Sequence, residues 1–142
     1  MEAVPPAPGI RLLLADDHRL VVEALRALLS SDPRLEIVGA AYDGQQAVEL
    51  AAELEPDVVL MDIAMPVLDG IEATRRITEA NPDIRVLMLT GSDWDVDSAR
   101  AREAGASGFI LKERSVTDLV DAIVEVSTLL MAFSGRRVSA PI

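Results

Sequence analysis

Short runs of apolar residues alternate along the chain with longer segments in which apolar residues recur every three or four positions. A short apolar run bounded by polar or turn residues is typical of a strand buried on both faces of a sheet. A spacing of three or four is typical of an amphipathic helix. The pattern predicts strands at 10–15, 35–42, 58–61, 84–89 and 107–111, and helices at 18–31, 45–55, 70–80, about 96–104, and from Ser115 onward.

The strict alternation of predicted strands and helices decides the fold class. It indicates an α/β domain, a parallel sheet with helices on both faces. Right-handed crossovers leave few strand orders, and we expect a flavodoxin-like doubly wound (βα)5 fold with the order 2-1-3-4-5. In such a sheet the functional site lies beyond the carboxyl ends of the strands, where the first and third strands diverge.

Four charged residues follow three of the predicted strands directly. Asp16 and Asp17 follow the first strand, Asp62 follows the third, and Lys112 follows the fifth. Because parallel strands end at the same edge of a sheet, we expect all four charges to meet there. Three carboxylates gathered at one place would repel each other unless a cation lies among them. The sequence therefore predicts a site for Mg²⁺ and a phosphoryl group.

Composition narrows the chemistry further. The 142 residues carry a net charge of -11, with no cysteine and one histidine, His18. The charge disfavours binding of nucleic acid or an anionic membrane by this segment. Without cysteine, thiolate catalysis and cysteine-ligated zinc are excluded, and a metal held by oxygen is expected to be Mg²⁺ or a similar hard cation. We expect His18 to be a surface residue at a helix start.

The ends of the chain differ in composition from its centre. Residues 1–9 are rich in proline and alanine and are expected to be a disordered leader; they do not resemble a signal peptide. Residues 132–142 contain glycine, two arginines and proline, and are expected to be a linker stub toward an absent output domain. No apolar run reaches membrane-spanning length, and the cytoplasm is the expected location.

Four stretches together resemble the receiver domain of two-component response regulators. The resemblance covers about residues 10–131 and is greatest to the subfamily whose receivers precede a helix-turn-helix domain of the LuxR/NarL/FixJ type. Its order and spacing are specific, although each motif alone is weak. The matching stretches are 15–18 (ADDH), 62–70 (DIAMPVLDG), 89–91 (LTG) and 104–112 (AGASGFILK).

The resemblance implies a role for each residue of the acidic edge. Asp62 is the expected phospho-acceptor, because a carboxylate can attack phosphorus to give an acyl phosphate. Asp17 is expected to bind Mg²⁺ directly, together with Asp62 and the backbone carbonyl of Ala64, and Asp16 to act through a water molecule. The alternatives are that Asp62 caps a turn and that Asp16 or Asp17 caps the first helix.

The resemblance also implies phosphoryl ligands and a switch. Thr90 is expected to donate its hydroxyl to one phosphoryl oxygen and Lys112 to place its ammonium on another. Thr90 would then move toward the phosphoryl group, and Phe109 would turn inward. The alternatives are an ordinary strand threonine and a plain core phenylalanine. Such a domain catalyses its own phosphorylation but is not a turnover enzyme.

Partners follow from the same resemblance. A sensor histidine kinase is the expected phosphodonor, and DNA would be bound only through an output domain. We expect Val21, Leu25, Leu28 and Leu29 to face the core from the first helix. The last helix carries more apolar residues than one core-facing stripe needs, so part of it, with the first helix, could form a phosphorylation-dependent homodimer or pack under the tail. Its apolar residues are Val116, Leu119, Val120, Ile123, Val124, Val126, Leu129 and Leu130.

Three other functions are compatible with the fold. A flavodoxin-type FMN binder would need a Ser/Thr/Gly-rich phosphate loop after the first strand, where this chain has acids. An aspartyl phosphatase would need a second acid at position 64, which is alanine. A phosphorylation-independent interaction module is the third. The sequence leaves open the cognate kinase and stimulus, the target genes, the dimer surface, the phosphoryl lifetime, and whether the chain is truncated or naturally single-domain.

Overall fold

The computed structural model describes residues 9–91, 94–112 and 115–132, with the side chains at 94–97 and 129–132 excepted. Strands and helices alternate throughout. The strands are β1 Ile10–Ala15, β2 Leu35–Ala41, β3 Val58–Asp62, β4 Arg85–Thr90 and β5 Gly108–Leu111. The helices are α1 Arg19–Leu29, α2 Gly44–Leu54, α3 Gly70–Ala80, α4 Trp94–Ala104 and α5 Val116–Ala132. Each lies within about two residues of the predicted bounds, which is the usual uncertainty at element ends.

The five strands form one parallel sheet in the order β2-β1-β3-β4-β5. The predicted order is thereby confirmed. β3 and β4 lie inside the sheet and every residue of both is buried, and their polar residues, Asp62, Arg85 and Thr90, lie only at the ends of these strands. The order reverses between β1 and β3, so a crevice opens beyond the carboxyl ends of these two strands.

The core consists of two apolar clusters, one on each face of the sheet. Successive strand residues point to opposite faces, so Leu13 joins the cluster under α2, α3 and α4, whereas Leu12 and Leu14 join the one under α1 and α5. Helices on both faces leave only the ends of the strands open. The ends of the strands are therefore the places where sheet residues can reach a ligand.

The buried face of α1 differs from the predicted one. Val22 and Leu29 are fully buried, while Val21 and Leu28 are 40% and 49% exposed. Leu20 is 86% exposed. The prediction was wrong for Val21 and Leu28, because the buried stripe begins one residue later and each residue turns the helix by about 100°. α1 therefore presents apolar side chains to solvent.

α5 uses its apolar residues mainly in the core. Leu119, Val120, Ile123 and Val126 are buried, and Val116, Ala122 and Val124 pack partly buried against the same cluster. In the described part of this helix no large apolar residue is strongly exposed. Leu129 and Leu130 lie outside the described side chains. The predicted leader up to residue 8, and the predicted linker beyond residue 132, lie outside the described residues.

Candidate functional site

The acidic residues meet at the crevice between β1 and β3. Ala15, the last residue of β1, is in register with Met61, so Asp16 comes level with Asp62 at the end of β3. Asp16, Asp17, His18 and Asp62 each offer one ligand atom, and these atoms all lie within 4.8 Å of one another. The expected gathering of three carboxylates is present. The imidazole beside them is an addition that the sequence interpretation did not include.

Several oxygens in this cluster have no hydrogen-bond partner. Asp16 and Asp62 are only 2% and 1% exposed. Among the described residues, Asp16 Oδ2, Asp17 Oδ1 and Asp62 Oδ2 are buried and accept no hydrogen bond. A buried polar atom without a partner costs free energy. A hard divalent cation takes carboxylate oxygens as ligands, so Mg²⁺ fits these residues.

Lys112 reaches the same cluster from β5. Its Nζ lies 2.8 Å from Asp62 Oδ1. Burial raises the pKa of the Asp62 carboxyl, the Lys112 ammonium opposes the shift, and the charge of Asp16 adds to it. A hydrogen bond from the backbone N–H of Ala64 also favours the charged form. The carboxylate of Asp62 is thus held where a cation would stabilise it further.

Thr90 ends β4, between the strands that carry Asp62 and Lys112. Asp62 is in register with Leu89, the residue before Thr90, and Thr90 is 3% exposed. The backbone N–H of Lys112 donates to the carbonyl of Thr90 over 2.7 Å. Three neighbouring strands therefore deliver Asp62, Thr90 and Lys112 to one edge. The phosphoryl-binding roles expected for Thr90 and Lys112 stay predictions.

Phe109 lies in β5, in register with Met88 of β4. It is 4% exposed and belongs to the cluster under α2, α3 and α4. This is the inward position that the switch hypothesis assigns to it, and equally that of a core phenylalanine. The switch role stays a prediction.

The loop after β3 fixes the position of Asp62. A Cβ at Gly70 would lie 2.1 Å from the carbonyl oxygen of Asp62, so only glycine allows α3 to begin so close to β3. The loop also holds Val67 at φ 71°, 80% exposed, with the N–H of Leu68 donating to the Pro66 carbonyl over 2.7 Å. A branched residue rarely adopts a positive φ. The strain at Val67 was not foreseen from the sequence.

His18 lies at the start of α1 but does not cap it. Its own side chain makes no capping hydrogen bond, and its backbone N–H donates to Asp16 Oδ1 over 2.9 Å. Its Nδ1 lies 3.0 Å from Asp16 Oδ1 and 3.2 Å from Asp17 Oδ1. The hydrogen bond with Asp16, followed by the charges of Asp17 and Asp16, raises the pKa of His18. The expectation of a surface residue was incomplete, because the exposed ring contacts both acids.

Comparison with known proteins gives one consistent result. The family model described as the response regulator receiver domain matches residues 12–124. The transcriptional regulatory protein LnrK of Bacillus subtilis is 44% identical over 117 residues, which cover 82% of this chain and 53% of LnrK. The response regulator GacA of Pseudomonas aeruginosa is 39% identical over 132 residues, which cover 93% and 59% of the two chains. This chain therefore spans a little over half the length of these curated relatives.

Solved structures agree with these relatives. The signal receiver domain of the putative response regulator NarL from Mycobacterium tuberculosis matches with a TM-score of 0.82 and 32% identity, covering 86% of this chain and 98% of that one. A LuxR-family two-component response regulator from Aurantimonas matches with a TM-score of 0.83 and 36% identity, covering 94% and 91% of the two chains.

Within the described residues, every helix is too short or too polar to cross a membrane.

Proposed function

The chain belongs to the response regulator receiver domain family, and from that premise we propose that Asp62 accepts a phosphoryl group in a Mg²⁺-dependent step. The chain is a receiver domain of a two-component system. This family membership disfavours the two alternative functions, FMN binding and phosphorylation-independent interaction. The observation that carries the proposal is the buried carboxylate of Asp62. It has one oxygen without a partner, two further carboxylates beside it and Lys112 at 2.8 Å.

The proposed reaction is the attack of Asp62 on phosphorus. One of its oxygens forms a bond to the phosphorus of a phosphohistidine, the P–N bond breaks, and the imidazole leaves with the bonding electrons. The product is an acyl phosphate on Asp62. The other oxygen of Asp62 would remain available to Mg²⁺, and Lys112, whose Nζ lies 2.8 Å from Asp62 Oδ1, would pair with a phosphoryl oxygen instead. Thr90 donates its hydroxyl to a second phosphoryl oxygen.

The metal ligands are assigned among the residues already gathered. Asp17 and Asp62 would hold Mg²⁺ directly, the backbone carbonyl of Ala64 would supply a further oxygen, and Asp16 would act through a water molecule. When bound, Mg²⁺ would supply positive charge beside the phosphoryl group and so lower the barrier to the transfer of that group. The unpartnered oxygens Asp16 Oδ2, Asp17 Oδ1 and Asp62 Oδ2 support this assignment.

Phosphorylation would change the surface through Thr90 and Phe109. Thr90 lies at the end of β4, and Phe109 lies in the neighbouring strand β5. A shift of Thr90 toward the phosphoryl group would alter the packing between β4, β5 and α4. A bistable packing change of this kind can carry a local event to a distant surface. Phe109→Ala is expected to weaken phosphorylation-driven dimerisation, measured by sedimentation.

The partners of the whole protein are proposals that rest on its relatives. We infer a sensor histidine kinase as phosphodonor in the cytoplasm, a receiver at 10–131, and DNA binding through an output domain outside it. The name of LnrK, a transcriptional regulatory protein, supports the last point. α1 contributes exposed Leu20, Val21 and Leu28 to a dimer surface. Sedimentation that finds a monomer with and without beryllofluoride would contradict the dimer.

The test of the phospho-acceptor is an intact mass after incubation with acetyl phosphate. We expect one phosphoryl adduct that requires Mg²⁺ and is absent from Asp62→Asn. Asp57→Asn is the matched control, because Asp57 lies just before the start of β3 rather than at its end, and it should still form the adduct. An adduct that persists in Asp62→Asn would overturn the assignment.

A further inference from the structure

The single histidine of the chain lies in the acidic cluster. His18 Nδ1 is 3.0 Å from Asp16 Oδ1 and 3.2 Å from Asp17 Oδ1. Its side chain is 63% exposed, so the ring covers the outer side of the cluster rather than filling the core. The metal assignment made above uses only oxygen ligands. In that assignment His18 Nδ1 serves only as the hydrogen-bond partner of Asp16 Oδ1, and it must give up this bond to bind a metal.

The spacing of these atoms suits a common metal ion. Nitrogen and oxygen ligands bind first-row dications at roughly 2.1 Å, so two ligands at a right angle lie about 3.0 Å apart. The distances from His18 Nδ1 to the two carboxylate oxygens, 3.0 and 3.2 Å, are close to that value. This spacing allows one first-row dication to contact all three atoms after small side-chain rotations, with Asp16 Oδ1 bound directly and not through the water molecule assigned to it with Mg²⁺.

An ion pair between His18 and the two acids would give similar distances, but the unpartnered oxygens of the cluster distinguish a cation site from an ion pair. Asp16 and Asp62 are 2% and 1% exposed, and an oxygen of each has no partner. Asp17 Oδ1 lies close to the imidazole and yet accepts no hydrogen bond from it. Hydrogen bonding by His18 therefore leaves the buried oxygens unsatisfied. A cation among these residues would bind both the unpartnered carboxylate oxygens and the imidazole nitrogen.

We propose that His18 Nδ1 is a ligand for first-row transition-metal dications. The site then binds Ni²⁺ or Zn²⁺ through mixed nitrogen and oxygen ligands, whereas Mg²⁺ uses the oxygens alone. Imidazole suits Ni²⁺ and Zn²⁺, and carboxylate, carbonyl and water suit Mg²⁺. The inference rests on the metal site of the proposed function and adds to it the residue that sets metal preference.

The composition makes the inference easy to test. The 142 residues contain one histidine and no cysteine. The chain therefore has no other imidazole and no thiolate to hold Ni²⁺ or Zn²⁺. In a protein without a purification tag, the imidazole contribution to nickel binding belongs to His18 alone.

The experiment is a calorimetric titration of the untagged chain at pH 8 with NiCl₂ and, separately, with MgCl₂. We expect His18→Ala to weaken Ni²⁺ binding by about tenfold or more, which is ~1.4 kcal/mol or more. The Mg²⁺ affinity should change by less than about twofold, a few tenths of a kcal/mol. Leu20→Ala is the matched control, since Leu20 is on the same helix, 86% exposed, and should change neither affinity. Equal changes for both metals, or no change for either, would overturn the proposal.

The nitrogen itself gives a second measurement. Zn²⁺ should shift the ¹⁵N resonance of the sole imidazole at Nδ1 more than at Nε2, and Mg²⁺ should shift neither strongly. A shift at Nε2 alone would contradict the assigned atom. An ion pair without metal ligation would show no selective response to Zn²⁺.

Failure of the inference is distinguishable from failure of the proposed function. The Mg²⁺-dependent adduct of the unaltered protein with acetyl phosphate reports the function. If this adduct forms and the ratio of Ni²⁺ to Mg²⁺ affinity is the same in His18→Ala, only the inference fails. If no adduct forms but that ratio falls in His18→Ala, the metal ligand stands and the phospho-acceptor assignment fails.

Discussion

Replacing the proposed phospho-acceptor should make the metal-free protein more stable. Asp62 is 1% exposed, its Oδ2 has no hydrogen-bond partner, and its pKa is raised by burial. Asp62→Asn removes a buried charge beside Asp16 and Asp17 while keeping the shape of the side chain. We therefore expect Asp62→Asn to have a larger free energy of unfolding than the unaltered protein at pH 7 without Mg²⁺.

Two opposing contributions set the magnitude. A buried acceptor left unsatisfied costs about 1–3 kcal/mol. The substitution also removes the ion pair with Lys112, which is 37% exposed on its side chain, and a partly exposed pair contributes roughly 0.5–1 kcal/mol. The expected net gain is about 0–2.5 kcal/mol, or up to roughly 10 °C in Tm for a domain of this size.

The pH dependence follows from the raised pKa of Asp62. The folded state holds this proton more tightly than the unfolded state, where the pKa is near 3.8. The stabilisation from protonation is therefore fully present below that value and is lost as pH rises through the folded-state pKa. The advantage of Asp62→Asn should accordingly shrink as the pH is lowered toward about 4.

The assay is chemical unfolding in urea with EDTA at several pH values. Asp57→Asn is the matched control, because Asp57 Oδ2 already accepts a hydrogen bond from the backbone N–H of Arg11 over 2.9 Å. The protein should therefore lose rather than gain stability when Asp57 is replaced. Addition of Mg²⁺ should stabilise the unaltered protein more than Asp62→Asn. If Asp62→Asn is less stable than the unaltered protein at pH 7 without metal, the reasoning about the buried carboxylate is wrong.

Three further substitutions, two of them paired with a control substitution, test the scaffold by unfolding in urea. Gly70→Ala should lower the free energy of unfolding by about 3 kcal/mol and reduce phosphorylation, because the added Cβ would meet the backbone at the end of β3. In the control Gly91→Ala the added Cβ has no atom within 4 Å, so the free energy of unfolding should change by less than about 0.5 kcal/mol. Equal effects of the two substitutions would contradict the predicted contact. Ile123→Ala should lower the free energy of unfolding by about 2–5 kcal/mol because Ile123 is fully buried. The control Leu20→Ala should change the free energy of unfolding little. A small loss of stability in Ile123→Ala would contradict the packing of α5 in the core. Val67→Gly should stabilise by about 1 kcal/mol, because glycine relieves the positive φ while losing some chain entropy, and a loss of stability would show that Val67 is not strained.

Sequence was sufficient for the fold because several signals agreed. The apolar runs at β3 and β4 are buried throughout, so their composition is unambiguous. The acids and Lys112 follow strand ends directly, and the parallel order brings strand ends to one edge. The site residues at those ends could therefore be placed together before the structure was known.

The same reasoning was insufficient where the local pattern was ambiguous. α1 has apolar residues at Leu20, Val21, Val22, Leu28 and Leu29, which lie on more than one face of the helix. Periodicity alone therefore does not decide whether the buried stripe begins at Val21 or Val22, and packing against the sheet decides it. A rotation of one residue moved Val21 and Leu28 to solvent.

The direction of the His18 side chain and the backbone strain at Val67 could not be predicted from the sequence. The contact of His18 with two acids depends on the turn between Asp16 and α1, where the His18 N–H donates to Asp16 Oδ1. Val67 adopts a φ that its own type disfavours, so a propensity argument points the wrong way there. Such exceptions are common at functional sites. His18 contacts the acidic cluster, and Val67 lies in the loop that follows Asp62.

The central claim is that the acyl phosphate forms on Asp62 itself. The most direct measurement is borohydride reduction of the protein after reaction with acetyl phosphate and Mg²⁺, followed by tandem mass spectrometry of its peptides. Reduction converts a phosphorylated aspartate to homoserine and so marks the position of the acyl phosphate. The account predicts homoserine at position 62 only, and none without Mg²⁺. Homoserine at position 16 or 17, with position 62 unchanged, would contradict it.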